Sequence, residues 1–166
     1  AAGEKNSASF YDINLKANYN LDENNKLYLS GYLGRDNFNF EGGFSNGYGN
    51  LSGNLRWNHI YNDKLFSNLS TIYSKYNYDL TLNIFEFDWK SSINNFNIKY
   101  DFKYYASDTF KLDFGLTGIY YNFNPGVIRP TTETSAINYF QLDTKKALET
   151  GVYINAEHRL TEKLTA

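Results

Sequence analysis

The stretch that decides the fold is Asn94 to Tyr121, NNFNIKYDFKYYASDTFKLDFGLTGIYY. In its first half Phe96, Ile98, Tyr100, Phe102 and Tyr104 occupy every second position, with Asn95, Asn97, Lys99, Asp101 and Lys103 between them. The second half repeats the pattern, setting Phe110, Leu112, Phe114, Leu116, Gly118 and Tyr120 against Lys111, Asp113, Gly115 and Thr117. Successive side chains of a strand point to opposite faces, so this is a hairpin with one apolar and one polar face. Each run lasts about ten residues, roughly twice an ordinary soluble strand and near the 9–11 that cross a bilayer at a tilt. The hairpin is therefore expected to form two adjacent staves of an outer-membrane barrel.

Composition narrows the alternatives. The 166 residues contain no cysteine or methionine, which excludes a disulfide framework and a thiolate metal site. Aromatics make up 19% and charged residues 20%, with a net charge of −2, so no concentrated basic face is available for nucleic acid. A mean hydropathy of −0.58 is compatible with a membrane barrel, because barrel strands hide their apolar half in alternation. No run has the length of a transmembrane helix. Ala1-Ala2-Gly3-Glu4-Lys5 lacks an apolar leader core, so an exported parent is expected to begin upstream.

Outward from the hairpin, a first strand alternates from Tyr11 to Leu21 and turns at Asp22-Glu23-Asn24-Asn25. A second runs from Lys26 to about Arg35, with apolar residues on both parities. RDNFNFEGGFSNGYGN, with its Gly42–Gly49 run, reads as a long loop. The run lacks the Gly-Lys-Ser/Thr end of a phosphate loop, and Asp36, Asn37 and Glu41 lack a calcium-loop spacing. A third strand holds Leu51 to Tyr61, Asn62-Asp63 turns, and a fourth runs to Tyr78 in ambiguous register. Residues 79–92 are expected to form a second long connection and 122–147 a third; the last contains both prolines, Pro125 and Pro130. A seventh strand covers Leu148 to Leu160, and a turn at Thr161-Glu162 starts an eighth. Connections thus alternate short and long, which in outer-membrane barrels means periplasmic and extracellular.

Two sets of side chains follow from this register. Lys16, Arg56, Lys99, Asp101, Asp113, Glu157 and Arg159 share the polar parity and are expected to line a lumen. Tyr19, Trp57, His59, Tyr61, Tyr104, Phe110 and His158, together with Phe66 and Tyr105, cluster at the short-turn ends as an interfacial belt. The two imidazoles on that belt have no lumenal nucleophile to serve, so no catalytic or metal-ligating residue is assigned. Trp89 and Arg129, placed in the long loops, are the ligand-contact candidates.

Several segments resemble the barrel of TonB-dependent outer-membrane receptors in their Bacteroidetes-type form. They are FYDINLKANYNLDENNKLYLSGYLGRDNF (Phe10 to Phe38), RWNHIYNDKLFSNLSTIYSKYNYD (Arg56 to Asp79), FNPG (Phe123 to Gly126) and ALETGVYINAEHRLTEKLT (Ala147 to Thr165). The resemblance implies an all-β fold of antiparallel transmembrane barrel staves, seven strands plus the start of an eighth, within a closed barrel of about 22 strands around a plug. On that reading residues 1–166 are a partial barrel domain without its plug. Contact with the TonB complex would come through missing N-terminal regions. The implied function is energised uptake of a scarce ligand, with outer-membrane lipid as a partner, a surface lipoprotein as a possible one, and no cofactor. Two alternatives remain: an accessory barrel in a surface or assembly complex, and a soluble β-sandwich binding module, which shows the same alternation turned inward.

Overall fold

The computed structural model describes residues 6–166; the segment Ala1–Lys5 lies outside the described residues. Nearly all of the chain forms one antiparallel sheet. Its long strands are β1 (Ser7–Asn20), β2 (Asn25–Phe40), β3 (Phe44–Asn62), β4 (Leu65–Leu82), β5 (Phe87–Ser107), β6 (Phe110–Pro130) and β8 (Lys145–Thr161). Two-residue strands β7 (Phe140–Gln141) and β9 (Leu164–Thr165) complete it. The order is β1-β2-β3-β4-β5-β6-β8-β9, with β7 on β6, so the sheet is a meander in which sequence neighbours pair. β9 is the expected start of an eighth stave.

The register sets the faces. Leu27, Trp57, Leu69, Tyr100, Leu116 and Val152 lie in one cross-strand row. Two rows further along, Gly31, Gly53, Tyr73, Phe96, Tyr120 and Leu148 form another. These side chains are not buried: Leu55 is 46%, Leu116 47% and Ile154 75% exposed, and Val127 is the one buried apolar residue among those described. A soluble sandwich would cover this face with a second layer. Among the described residues there is none.

Along β6 the apolar face lasts from Leu112 to Tyr120. At about 3.3 Å per residue and a tilt near 40°, that stretch spans about 20–25 Å, close to the apolar band of a membrane barrel. The seven long strands are 14 to 21 residues long. They therefore continue well beyond the band, all at the end away from the Asp22 and Asp63 turns.

Here the structure corrects the sequence reading. The segment read as a long loop is the tip of a β2–β3 hairpin, whose turn is only Glu41–Gly43, with Gly42 at φ 76°. Likewise, 79–92 is the end of β4, a single 3-10 turn at Asn83–Phe85, and the start of β5. Only the β6–β8 connection is long. Pro125 and Pro130 both belong to β6. Pro125 sits where the β5–β6 register slips between Lys90 and Ser92 and beyond the last β8 partner, Lys145, so the ladder needs no donor from it. The short turns are stabilised as expected of Asx turns: Asp22 accepts from the Asn24 N–H at 2.8 Å, and Asn62 from the Lys64 N–H at 2.9 Å.

Candidate functional site

The polar face divides into a charged lower zone and an aromatic upper one. In the lower zone the Lys99 ammonium lies 3.0 Å from Asp101. Tyr153 reaches over Gly115 to donate its hydroxyl to Asp101 at 2.7 Å. A Cβ on Gly115 would meet the Tyr153 ring at 2.8 Å, so the glycine creates the path. Lys111 bridges Glu157 at 2.9 Å and Asp113 at 3.7 Å, Arg56 stacks over Tyr28 at 4.4 Å, and Arg159 donates to the Asp108 carbonyl at 3.1 Å. The structure thus places Lys16, Arg56, Lys99, Asp101, Asp113, Glu157 and Arg159 on one sheet face. On β5, β6 and β8 they form two neighbouring clusters, Lys99–Asp101–Tyr153 and Lys111–Asp113–Glu157, with Arg159 held on the Asp108 carbonyl; Lys16 and Arg56 stand apart on β1 and β3.

Above this zone the same face changes character. Phe38, Asn46, Leu80, Trp89 and Ile128 form one row across five strands, and Asp36, Tyr48, Tyr78 and Ser91 form the next. Tyr76, Ile93 and Phe123 follow in the third. Tyr78 and Trp89 meet edge to face at 6.0 Å, and Phe38 lies 6.3 Å from Tyr48. The Trp89 indole rests on Gly126, where any side chain would collide with it. Within β2 to β6 these rows carry one charged group, Asp36, and no cation. Rings interspersed with amides and hydroxyls form a surface for a flat or ring-bearing ligand group, with polar atoms to orient it.

The two ligand candidates are separated. Both Trp89 and Arg129 are strand residues rather than loop residues: Trp89 is on the polar face of β5, and Arg129 is on the opposite face of β6, paired with Asp88. Asp36 and Asn37 also fall on opposite faces, and Asn37 accepts from Arg35 Nε at 2.9 Å. Phe38, Tyr48 and Phe123 escape the sequence reading because it places them in long connections, and Tyr76 and Tyr78 because it leaves the register of the fourth strand ambiguous. The available signal was a change of parity. From Leu27 to Leu33 the aliphatic residues are odd-numbered, whereas Phe38, Phe40, Phe44 and Tyr48 are even-numbered.

On the apolar face, the belt residues do meet. Trp57 and His59 lie 5.3 Å apart, and both ring nitrogens reach Asn25 Oδ1, at 2.9 and 2.7 Å. His59 packs edge-on against Tyr61 at 4.3 Å, and the Tyr61 and Tyr100 hydroxyls are 2.9 Å apart. Phe102 then stacks on Phe114 at 5.1 Å, and Phe110 meets His158 at 5.6 Å. Tyr19 and Tyr104 share this face. Phe66 and Tyr105 do not: they meet each other at 5.9 Å on the polar face, their register aligning them with Lys103 and Lys111. The belt is correspondingly narrower than the sequence suggests.

No family model and no curated protein matches this chain. Solved structures do. The chain is similar to the ferric preacinetobactin receptor BauA of Acinetobacter baumannii, with a TM-score of 0.61 at 10% identity over 92% of this chain. It is also similar to the ferric-catecholate import receptor Fiu of E. coli K12, at 0.58 and 10% over 97%, and to the ferric yersiniabactin uptake receptor FyuA of Yersinia pestis, at 0.57 and 12% over 98%. At such identities the likeness is one of fold: this sheet has the architecture of barrel staves in those receptors. The chain spans about a third of their length, 31%, 35% and 28% respectively.

Proposed function

We propose that these staves belong to an outer-membrane uptake receptor in which the polar face lines the lumen and the apolar face meets lipid. One observation carries the reading: both faces exchange character at the same level. Below it, Tyr73, Phe96 and Tyr120 point one way, and Lys99 and Asp101 the other. Above it, Lys75, Asn94 and Asn122 take the outward positions, while Tyr76, Tyr78 and Trp89 take the inward ones. An outer surface emerging from lipid into water must become polar, and an enclosed vestibule gains from rings that hold a ligand. The aromatic wall around Trp89 is then the ligand-facing surface, and the Lys99–Asp101–Tyr153 network lines the route below it. Import is energised through a plug and TonB contact supplied outside this chain. The exposed Ile84 and Phe85 at the β4–β5 tip, 73% and 60% accessible, offer a foothold for a surface lipoprotein.

The test is made on the full-length protein in cells. Ligand accumulation should cease when the proton gradient is collapsed, while surface binding persists. Trp89→Ala should weaken that binding by about three- to tenfold, the value of one aromatic contact. Accumulation that survives uncoupling would assign the barrel to passive or structural duty instead.

A further inference from the structure

On the polar face the aromatic rows continue past β2 onto the first strand, and there they meet two carboxylates. Phe10, Asp36, Tyr48 and Tyr78 form one row across β1 to β4, and Asp12, Gly34, Asn50 and Tyr76 form the row below it. Asp36 therefore stands between two ring-bearing positions, Phe10 on one side and Tyr48 on the other, with Phe38 next above it on its own strand and face. Phe10 is 77% exposed, and Phe38 lies against Tyr48. Below Asp36 the face is open at Gly34, where a Cβ would meet Asp12 Oδ1 at 2.6 Å. Tyr32 donates its hydroxyl to that same oxygen at 2.6 Å.

Among the described residues neither carboxylate has a basic partner. Arg35, next to Asp36 in the chain, is on the opposite face and bound to Asp79 at 2.9 Å. Lys16 shares the polar face but sits about 13 Å below Asp12 along β1. Lys145 ends the Asp12 row on β8, about 24 Å along the sheet from β2. Two like charges without a counter-ion leave this end of the wall negative. Ring faces attract an ammonium group, and a carboxylate adds charge and acceptors. Adjacent strands are about 4.8 Å apart, so a cation seated on Asp36 lies about 5 Å from each flanking strand, inside the roughly 6 Å over which a ring attracts it. A flat group joined to that cation reaches Tyr48 and Tyr78, toward the patch around Trp89. We propose that the wall selects its ligand by charge: it takes a ring-bearing organic cation whose ammonium group sits on Asp36 between Phe10 and Tyr48, with Asp12 as the second countercharge. The inference rests on the ligand-facing wall under Proposed function and adds the chemical class of its ligand.

Three probes share one indole ring and differ in charge at neutral pH: tryptamine is a cation, tryptophol is neutral and indoleacetate is an anion. Equilibrium dialysis against the full-length barrel in detergent should rank them in that order, each step about threefold or more. Asp36→Asn should weaken tryptamine by about threefold or more and leave tryptophol within about twofold, a split that a folding defect would not produce. Asp12→Asn should have a smaller effect, because Tyr32 already occupies one of its oxygens. Added salt should weaken tryptamine and spare tryptophol. Tyr48→Ala should weaken all three, since the ring serves each of them. The proposal is overturned if indoleacetate binds as well as tryptamine, or if Asp36→Asn leaves their ratio unchanged. Where Tyr48→Ala still weakens all three probes, either result refutes the charge selection alone. If no probe binds saturably, or Tyr48→Ala changes none of them, the ligand-facing wall itself fails and this inference with it.

Discussion

At the residue scale, adjacent positions in β6 face opposite environments. Phe114 stacks on Phe102 on the apolar face, whereas Asp113 sits beside Lys111 on the polar one. An arginine within the lipid-facing band costs a barrel about 2–4 kcal/mol, so Phe114→Arg should lower folding stability in vesicles by that amount. Asp113→Asn should cost less than about 0.5 kcal/mol, because Lys111 keeps its shorter bridge to Glu157. Urea titration of both variants checks the facing, and equal costs would mean that it is wrong. Gly126 offers a second test. Gly126→Ala displaces the Trp89 ring that rests on it, so the Trp89 fluorescence of a Trp57→Phe background should shift even without ligand. In the first turn, the Asn25 amide and then the Asn24 N–H hold the Asp22 carboxyl below its ordinary 3.8. A lowered value means that the carboxylate stabilises the turn above pH about 4 and ceases to as pH falls through the folded value. Relative to the intrinsic exchange rate at each pH, protection of the amides at this turn should therefore fall on acidification, and Asp22→Asn should abolish that loss of protection.

At the scale of elements, the hairpins are unequal about the apolar band. Three turns, at Asp22, Asp63 and Asp108, close directly under the aromatic belt, while the opposite ends run on past the apolar band to Gly43, Phe85 and Thr132. Single cysteines at Gly43 or Thr132 should label in intact cells with an impermeant thiol reagent, and those at Asn24, Asp63 or Ser107 should not. The reverse pattern would invert the orientation. Most of the alternation within the apolar band was legible in the sequence, as β5 and β6 show from Phe96 to Tyr120. The extensions were not. Gly47 and Gly49 in β3 look like loop residues, yet Gly47 leaves the space through which the Arg35 side chain passes to Asp79 two strands away. That is a tertiary reason for glycine, invisible along the chain.

On the scale of the whole molecule, the sheet has no interior of its own. β1 is exposed along its entire length and pairs only with β2, and the outer edge of β8 is covered only near Arg159 by β9. Open edges are not tolerated in the hydrocarbon region, so within the proposed barrel further strands close both sides. The apolar face likewise needs an amphiphile. The full-length protein should acquire its strand circular-dichroism signal only in detergent or lipid, and a fully folded state in plain buffer would return the soluble reading.

The sequence by itself determined that the chain forms long strands with one apolar face and short Asx-type turns, because period-two alternation and turn chemistry are local. It also separated Lys99 and Asp101 from Phe102 and Phe114 without any coordinates. Only the tertiary structure decided how far each strand continues and which rows align. Beyond the apolar band the parity of the pattern reverses, and a reversed alternation looks like a lapse until the partner strands are laid beside it. The patch around Trp89 and the setting of Asp36 between Phe10 and Tyr48 are properties of that cross-strand alignment. Each draws on three or more strands, and no single strand contains either.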